Sequence, residues 1–160
     1  MTKLENVRLV QPATAGEWRQ ARALVDAYAA SLGVDLSFQG FEDKLTHLET
    51  EYGPPSGVFL LAERRGAYLG CVGVRRFAAG AAEMKRLYVS PAGRGHGLGR
   101  LLAEAAIEAA RAMGYARLVL DTLPSMSEAR TLYRSLGFTE ISAYRFNPVA
   151  GTAFLELRLA

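Results

Sequence analysis

Cysteine is nearly missing from this chain. Cys71 is the only one in 160 residues, so no internal disulfide can form, and a reducing, cytoplasmic setting is the simplest expectation. Long apolar runs are missing too. None approaches the roughly 18–20 residues of a membrane span, and Lys3, Glu5 and Arg8 interrupt the stretch where a signal peptide would need an apolar core. Two histidines and one cysteine without ligand spacing make no metal site. The net charge is +3, with both signs spread along the chain and no block of five like charges, so the concentrated basic footprint of a nucleic-acid binder is lacking. No repeat, low-complexity segment or linker divides the sequence. One domain over residues 1–160 is expected, and a hydrophobic content of 50% is enough for one buried core.

What is present reads as alternating strands and helices. Val7–Val10 is a short strand. Thr14 and Glu17 form a capping-box pair, and Trp18, Ala21, Val25, Tyr28 and Leu32 then recur at helical spacing up to Gly33. A polar loop over Asp35–Gly40 leads to a second helix carrying Phe41, Leu45, Leu48 and Tyr52, stopped by Gly53-Pro54-Pro55. Val58–Glu63, Ala67–Phe77 and Glu83–Val89 are strands joined by short turns, the first at Arg65-Gly66, and predict an antiparallel meander. After Gly97 the period becomes 3.6, with Leu98, Leu101, Leu102, Ala105, Ala109 and Met113 on one stripe. Ala116–Asp121 is a continuous apolar strand of the buried, parallel kind. Ser125 and Glu128 read as another capping box, opening a helix that ends at Gly137. Thr139–Phe146 and Thr152–Leu159 complete the order βαα-βββ-α-β-α-ββ, an α/β chain with a mixed sheet.

The stretch Met84–Leu102, MKRLYVSPAGRGHGLGRLL, organises the rest. A strand runs into glycines at 93, 95, 97 and 99 and then directly into the amphipathic helix. The first N–H groups of a helix have no intrahelical partner, and the dipole adds about half a positive charge there, which makes an anion site. Arg94 and Arg100 bracket the loop with cationic forks suited to phosphate. A phosphate-bearing cofactor is expected here. A Walker loop needs Lys-Ser or Lys-Thr after its last glycine, and none occurs. The dinucleotide fingerprint G-x-G-x-x-G needs a final three-residue gap, but these glycines fall at intervals of two, and a meander precedes them. The spacing that fits is R-x-x-G-x-G over Arg94–Gly99.

At this point the chain resembles the GCN5-related N-acetyltransferase (GNAT) superfamily. LYVSPAGRGHGLGRLLAEAAIEAAR is similar to that family's acetyl-coenzyme A segment, and EARTLYRSLGF (128–138) to its second signature, with a tyrosine shortly before Gly-Phe. The resemblance implies an acyl-CoA N-acyltransferase fold, with the strands ending at Val89 and Asp121 splayed around the pantetheine arm. Backbone groups at Leu87, Tyr88 and Val89 would pair with that arm and polarise the thioester carbonyl. Arg94, Gly95, His96, Gly97, Leu98, Gly99 and Arg100 would hold the pyrophosphate.

Tyr133 would serve as the general acid that protonates the departing thiol. Packing at the core edge beside Ala129 and Leu136 is the alternative role for its ring. Glu83 stands where several family members carry a glutamate base, the alternative being a solvated carboxylate at a strand start. Met126 occupies a position where many members have an asparagine against the cofactor arm, so contacts there are altered or pass to Ser125 or Ser127. His47, Glu51 and Tyr52 come within reach of the acceptor cleft, although an ordinary surface face fits them better. Cys71 reads as a small buried hydrophobe. The implied activity is direct transfer of acetyl from acetyl-CoA to an amine of a small molecule or peptide, without metal. A non-catalytic acyl-CoA-binding module is the second reading. Acceptor specificity would lie in residues 28–57 and 144–151, which carry no motif, and monomer and homodimer are both compatible with the sequence.

Overall fold

The computed structural model describes residues 5–32 and 47–159. The chain runs β1 (Val7–Val10), α1 (Ala15–Leu32), α2 (Leu48–Glu51), β2 (Val58–Arg64), β3 (Ala67–Ala78), β4 (Ala81–Val89), a 3-10 turn (Pro91–Gly93), α3 (Leu98–Ala112), β5 (Arg117–Thr122), α4 (Ser127–Ser135), β6 (Thr139–Ile141) and β7 (Ala153–Arg158). The seven strands form one sheet in the order β1-β2-β3-β4-β5-β7-β6. The expected element order and mixed sheet are therefore present. Gly33, the polar loop at Asp35–Gly40, Phe41 and Leu45 lie outside the described residues. The second helix is described only as the single turn α2.

Local chemistry explains most boundaries. Glu17 N–H bonds Thr14 Oγ1 at 3.1 Å, while Glu17 Oε1 accepts from Thr14 N at 3.1 Å and Ala13 N at 2.8 Å, so the first capping box closes on both sides. The β2–β3 hairpin turns through Arg65 (φ 52°) and Gly66 (φ 85°), the pair of left-handed residues whose twist matches that of the strands. The second capping box does not form. Met126 is the N-cap of α4, and no side chain caps it. The expected stripe on α3 is rotated as well. Leu98, Leu102, Ala103, Ala106, Ile107 and Ala110 are buried, and Leu101, Ala105, Ala109 and Met113 flank them. Alanines let the helix sit close to the sheet, which a search for large apolar residues passes over.

The core is split by the sheet. One cluster packs Val58, Leu60, Val72, Val74, Ala82 and Met84 under α3, each fully buried aliphatic side chain stabilising by roughly 1.5–3 kcal/mol. The other packs Phe59, Leu61 and Cys71 under α1 and α2. Tyr52 belongs to this second cluster and not to a surface or cleft face. Its ring lies edge-on to Phe59 at 5.4 Å and occupies the space that a Cβ on Gly73 would need, 2.6 Å away.

β4 and β5 pair in parallel only from Ala81–Glu83 to Arg117–Val119. Beyond that point β5 continues against β7, and β4 continues against β3. The two strands thus separate into a fork. A bulge in β4 lies beside it: Lys85 pairs with Gly73 and Tyr88 with Cys71, so Arg86 and Leu87 together face Val72. Arg86 takes φ 63° there. The bulge reverses the alternation, since Ala82 and Met84 point to the α3 side before it, and Leu87 and Val89 after it.

The last expected hairpin is shorter than its sequence suggests. Strand pairing stops at Ile141, not Phe146, because Tyr144 and Arg145 turn inward to bond Glu83. Arg130 then anchors the far end of this segment, donating to the carbonyls of Leu123 (3.1 Å), Thr122 (2.9 Å) and Gly151 (2.6 Å). Arg130→Ala leaves these carbonyls without that donor. A stability loss of about 2 kcal/mol is expected in denaturant melts, with faster proteolysis between Tyr144 and Gly151.

Candidate active site

The fork opens into a cleft of about 560 Å³, including its open mouth, lined by Tyr28 and Leu32 of α1, Met84–Leu87 of β4, Asp121, Leu123, Met126, Tyr133 of α4 and Asn147. In the loop that follows β4, Gly95 (φ 81°) and Gly97 (φ 78°) take left-handed conformations, and a Cβ at either would meet only open space. The loop backbone is therefore open to a ligand. Gly97 is the N-cap of α3, and the first intrahelical bond is Leu101 N to Gly97 O at 3.1 Å, which leaves the N–H groups of Leu98, Gly99 and Arg100 outside the helical ladder. Gly93 serves packing instead, since its Cβ would lie 2.9 Å from Leu98 Cδ1.

Arg94 and Arg100 are exposed at the loop, as a phosphate site needs. Arg94 Nε donates to Val89 O at 3.1 Å, and Arg100 Nη2 donates to Ser135 Oγ at 2.5 Å. His96 is half-buried. Met126 lines the cleft, and its Sδ takes a weak bond from Thr122 Oγ1 at 3.9 Å. Tyr133 projects from α4 into the cleft. It is 4% exposed, packs against Phe138 at 5.7 Å, and its hydroxyl pKa is raised by burial and by neighbouring Tyr28 and Asp121, so it keeps its proton through the neutral range.

Glu83 lies where the two strands part and is 0% exposed. Its Oε1 accepts from Arg75 Nε (3.1 Å), Arg75 Nη2 (2.9 Å) and Arg145 Nη2 (2.9 Å). Its Oε2 accepts from Tyr144 Oη (2.6 Å) and pairs with Arg145 Nη1 (2.7 Å). Arg75 also pairs with Glu51, and Arg145 with Asp121 at 3.6 Å, so alternating charges run from α2 through β3 and β4 to β5. Burial pushes the Glu83 carboxyl up, but Lys85, Arg145 and the Tyr144 hydroxyl outweigh it and hold the pKa at about 2. This geometry gives the expected base role of Glu83 no support, because a carboxylate so fully bonded is a weak proton acceptor. The sequence had no signal for Arg75, Tyr144 and Arg145 as its partners, since they lie 8, 61 and 62 residues away. His47 is exposed at the start of α2. Cys71 is buried, donates to Arg86 O at 3.2 Å, and has its pKa pushed up to about 12 by burial, as suits a packing residue.

A family model for the acetyltransferase (GNAT) family matches residues 21–138, which includes the glycine loop, the fork and Tyr133. The chain belongs to the GNAT family. A relative in Schizosaccharomyces pombe, named an uncharacterized N-acetyltransferase, is 40% identical over 141 residues, 87% of this chain and 86% of that one. Two solved structures share the fold. A GNAT-family acetyltransferase from Staphylococcus aureus superposes with a TM-score of 0.78 at 18% identity, covering 96% of this chain and 99% of that one. The Salmonella typhimurium protein yncA, solved with its cofactor acetyl-CoA, gives 0.69 at 22% identity, covering 98% and 95%. Family and relative together support the sequence expectation of an acetyl-CoA-dependent acetyltransferase. Among the described residues, no helix is long and apolar enough to cross a membrane, and no group of three His, Cys, Asp or Glu could hold a metal ion.

Proposed function

We propose that this GNAT protein transfers the acetyl group of acetyl-CoA directly to the amine of a small molecule or peptide. The observation that carries the reading is the fork: a strand edge without a partner on one side leads straight into an open glycine loop at a helix N-terminus. The residues present fit such a donor. Beyond Glu83, β4 offers unpaired backbone toward β5 to the amides of an extended arm. The N–H groups of Leu98, Gly99 and Arg100, with the side chains of Arg94 and Arg100, offer donors and cations to a pyrophosphate. Acetyl-CoA, when bound, supplies an activated thioester.

In this reading the backbone around Leu87, Tyr88 and Val89 binds the arm and polarises the acetyl carbonyl, a contribution of the oxyanion-hole kind. Tyr133 holds a proton at Oη for the sulfur. Glu83 fixes Arg75, Arg145 and Tyr144, and through them the acceptor side of the cleft, while Met126 packs against the arm where an amide would otherwise bond it. The buried thiol of Cys71 is no nucleophile, which favours direct transfer over a covalent enzyme intermediate. A reducing cytoplasm suits the single cysteine. Sizing by light scattering distinguishes monomer from homodimer.

Isothermal titration should show saturable binding of acetyl-CoA; its absence refutes the reading. Gly97→Val, which forces a β-branched residue to φ 78°, should weaken that binding at least ~10-fold, and unchanged affinity would remove the loop from the donor site. The low basicity of Glu83 favours a second reading, an acyl-CoA-binding module without turnover. Release of free CoA with any member of a broad amine panel decides for the enzyme.

A further inference from the structure

Regular alternation along β4, up to the bulge that begins at Arg86, puts Lys85 on the face it shares with Glu83, at the wall of the fork. Lys85 is only 8% exposed and lines the cleft, and no hydrogen bond or ion pair holds its ammonium among the described residues. Burying that ammonium costs more than the nearby carboxylates of Glu83 and Asp121 offset, and the balance favours loss of its proton relative to an exposed lysine. The groups around it act in both directions. Burial lowers its pKa most, Glu83 on the same strand and Asp121 on β5 raise it, and Arg145 and Arg86 lower it, leaving it at about 7. From the other elements, Tyr28 and Tyr133 face the same space with neutral hydroxyls. A neutral primary amine in a thioester cleft is a nucleophile.

We infer that Lys85 is a self-acetylation site: when no other amine fills the cleft, its ε-amine takes the acetyl group from the bound donor. The Lys85 Nζ–carbonyl carbon bond forms, the carbon–sulfur bond breaks, and one proton of the neutral amine ends on the sulfur, giving N-acetyl-lysine and free CoA. No oxidant or further reactant is needed. The amide is too stable to pass the acetyl group on, so it ends transfer and places a neutral acetamide in the acceptor side of the cleft. This inference rests on the acetyl-CoA reading above.

The chain has only three lysines, Lys3, Lys44 and Lys85, so peptide mapping resolves them cleanly. Purified full-length protein, incubated with acetyl-CoA and no added amine, is followed by intact mass and peptide mapping, with donor binding measured in parallel by titration. One acetyl group on the Lys85 peptide is expected. It should form ~10-fold more slowly at pH 6 than at pH 8, following the neutral fraction of an amine with pKa near 7. Excess CoA should suppress it, and Lys85→Arg, whose guanidinium cannot lose its proton in this range, should abolish it while still binding the donor. Binding of acetyl-CoA with Lys85 unmodified overturns the inference and leaves the functional reading standing. Labelling of Lys3 and Lys44 as fast as Lys85, or labelling insensitive to CoA, overturns it as solution chemistry. Failure of acetyl-CoA to bind overturns both.

Discussion

Tyr133→Phe should lower turnover by ~10²-fold or more while leaving the affinity for acetyl-CoA within about twofold. The ring is the structural part of this side chain. It is 4% exposed, packs against Phe138 at 5.7 Å, and belongs to the α3-side core. Phenylalanine preserves all of that, so the variant should fold and bind as the parent does. What it removes is the proton at Oη. Burial raises the phenol's pKa, which at first sight makes it a poor acid for a thiol that ordinarily titrates near 8.5. Yet the sulfur departs inside the same cleft, and desolvation raises its basicity in the same direction. The hydroxyl therefore stabilises charge that develops only as the carbon–sulfur bond lengthens. Such an interaction appears in kcat and not in ground-state binding. Thiol release measured with a reactive amine, alongside titration of both proteins with acetyl-CoA, separates the two. Near-normal kcat would leave Tyr133 a packing residue.

Where the sequence could be read, the reason was local. The glycine loop announces itself within a few residues, because left-handed backbone at Gly95 and Gly97 and a helix starting at Leu98 are consequences of neighbouring residue types. The same holds for Thr14–Glu17 and for Arg65-Gly66. Lys85 is the opposite case. In the run Met-Lys-Arg it reads as an ordinary charge on a strand, and only the separation of β4 from β5 and the α1 side of the core make it a buried amine. Periodicity has no term for a bulge, and the left-handed Arg86 breaks the rule that such positions belong to glycine. Tyr52 was misplaced on an accessible face for a similar reason: the space it fills is made by Gly73, 21 residues later on β3. Ile141, Tyr144 and Phe146 are residue types that favour strands, so a strand through Phe146 was a fair expectation. The pull of a buried carboxylate on β4 outweighed it.

That carboxylate is where the largest stability effect is expected. Glu83→Gln should destabilise the protein by about 3 kcal/mol, because it leaves Arg75 and Arg145 with uncompensated charge at a position closed to water. For a domain of this size, that corresponds to a fall in Tm on the order of 10 °C. The pH dependence has a definite sign. The folded-state pKa of Glu83, about 2, lies below its ordinary value of 4.5, so the unfolded chain binds the proton more readily. The stabilisation is fully present above pH 4.5 and is lost as the pH falls toward 2, and it amounts to about 3 kcal/mol over that window. Melting curves of the parent should therefore drop steeply between pH 5 and the acid limit near 2, while those of Glu83→Gln, which has no carboxyl to protonate there, should drop less. The two proteins should converge at the acid end. Parallel curves across that range would mean that Glu83 is not the carboxylate that fixes the arginines. A Tm within about 2 °C of the parent at pH 7 would mean that Glu51 and Asp121, the other carboxylates of the chain of charges, hold Arg75 and Arg145 unaided.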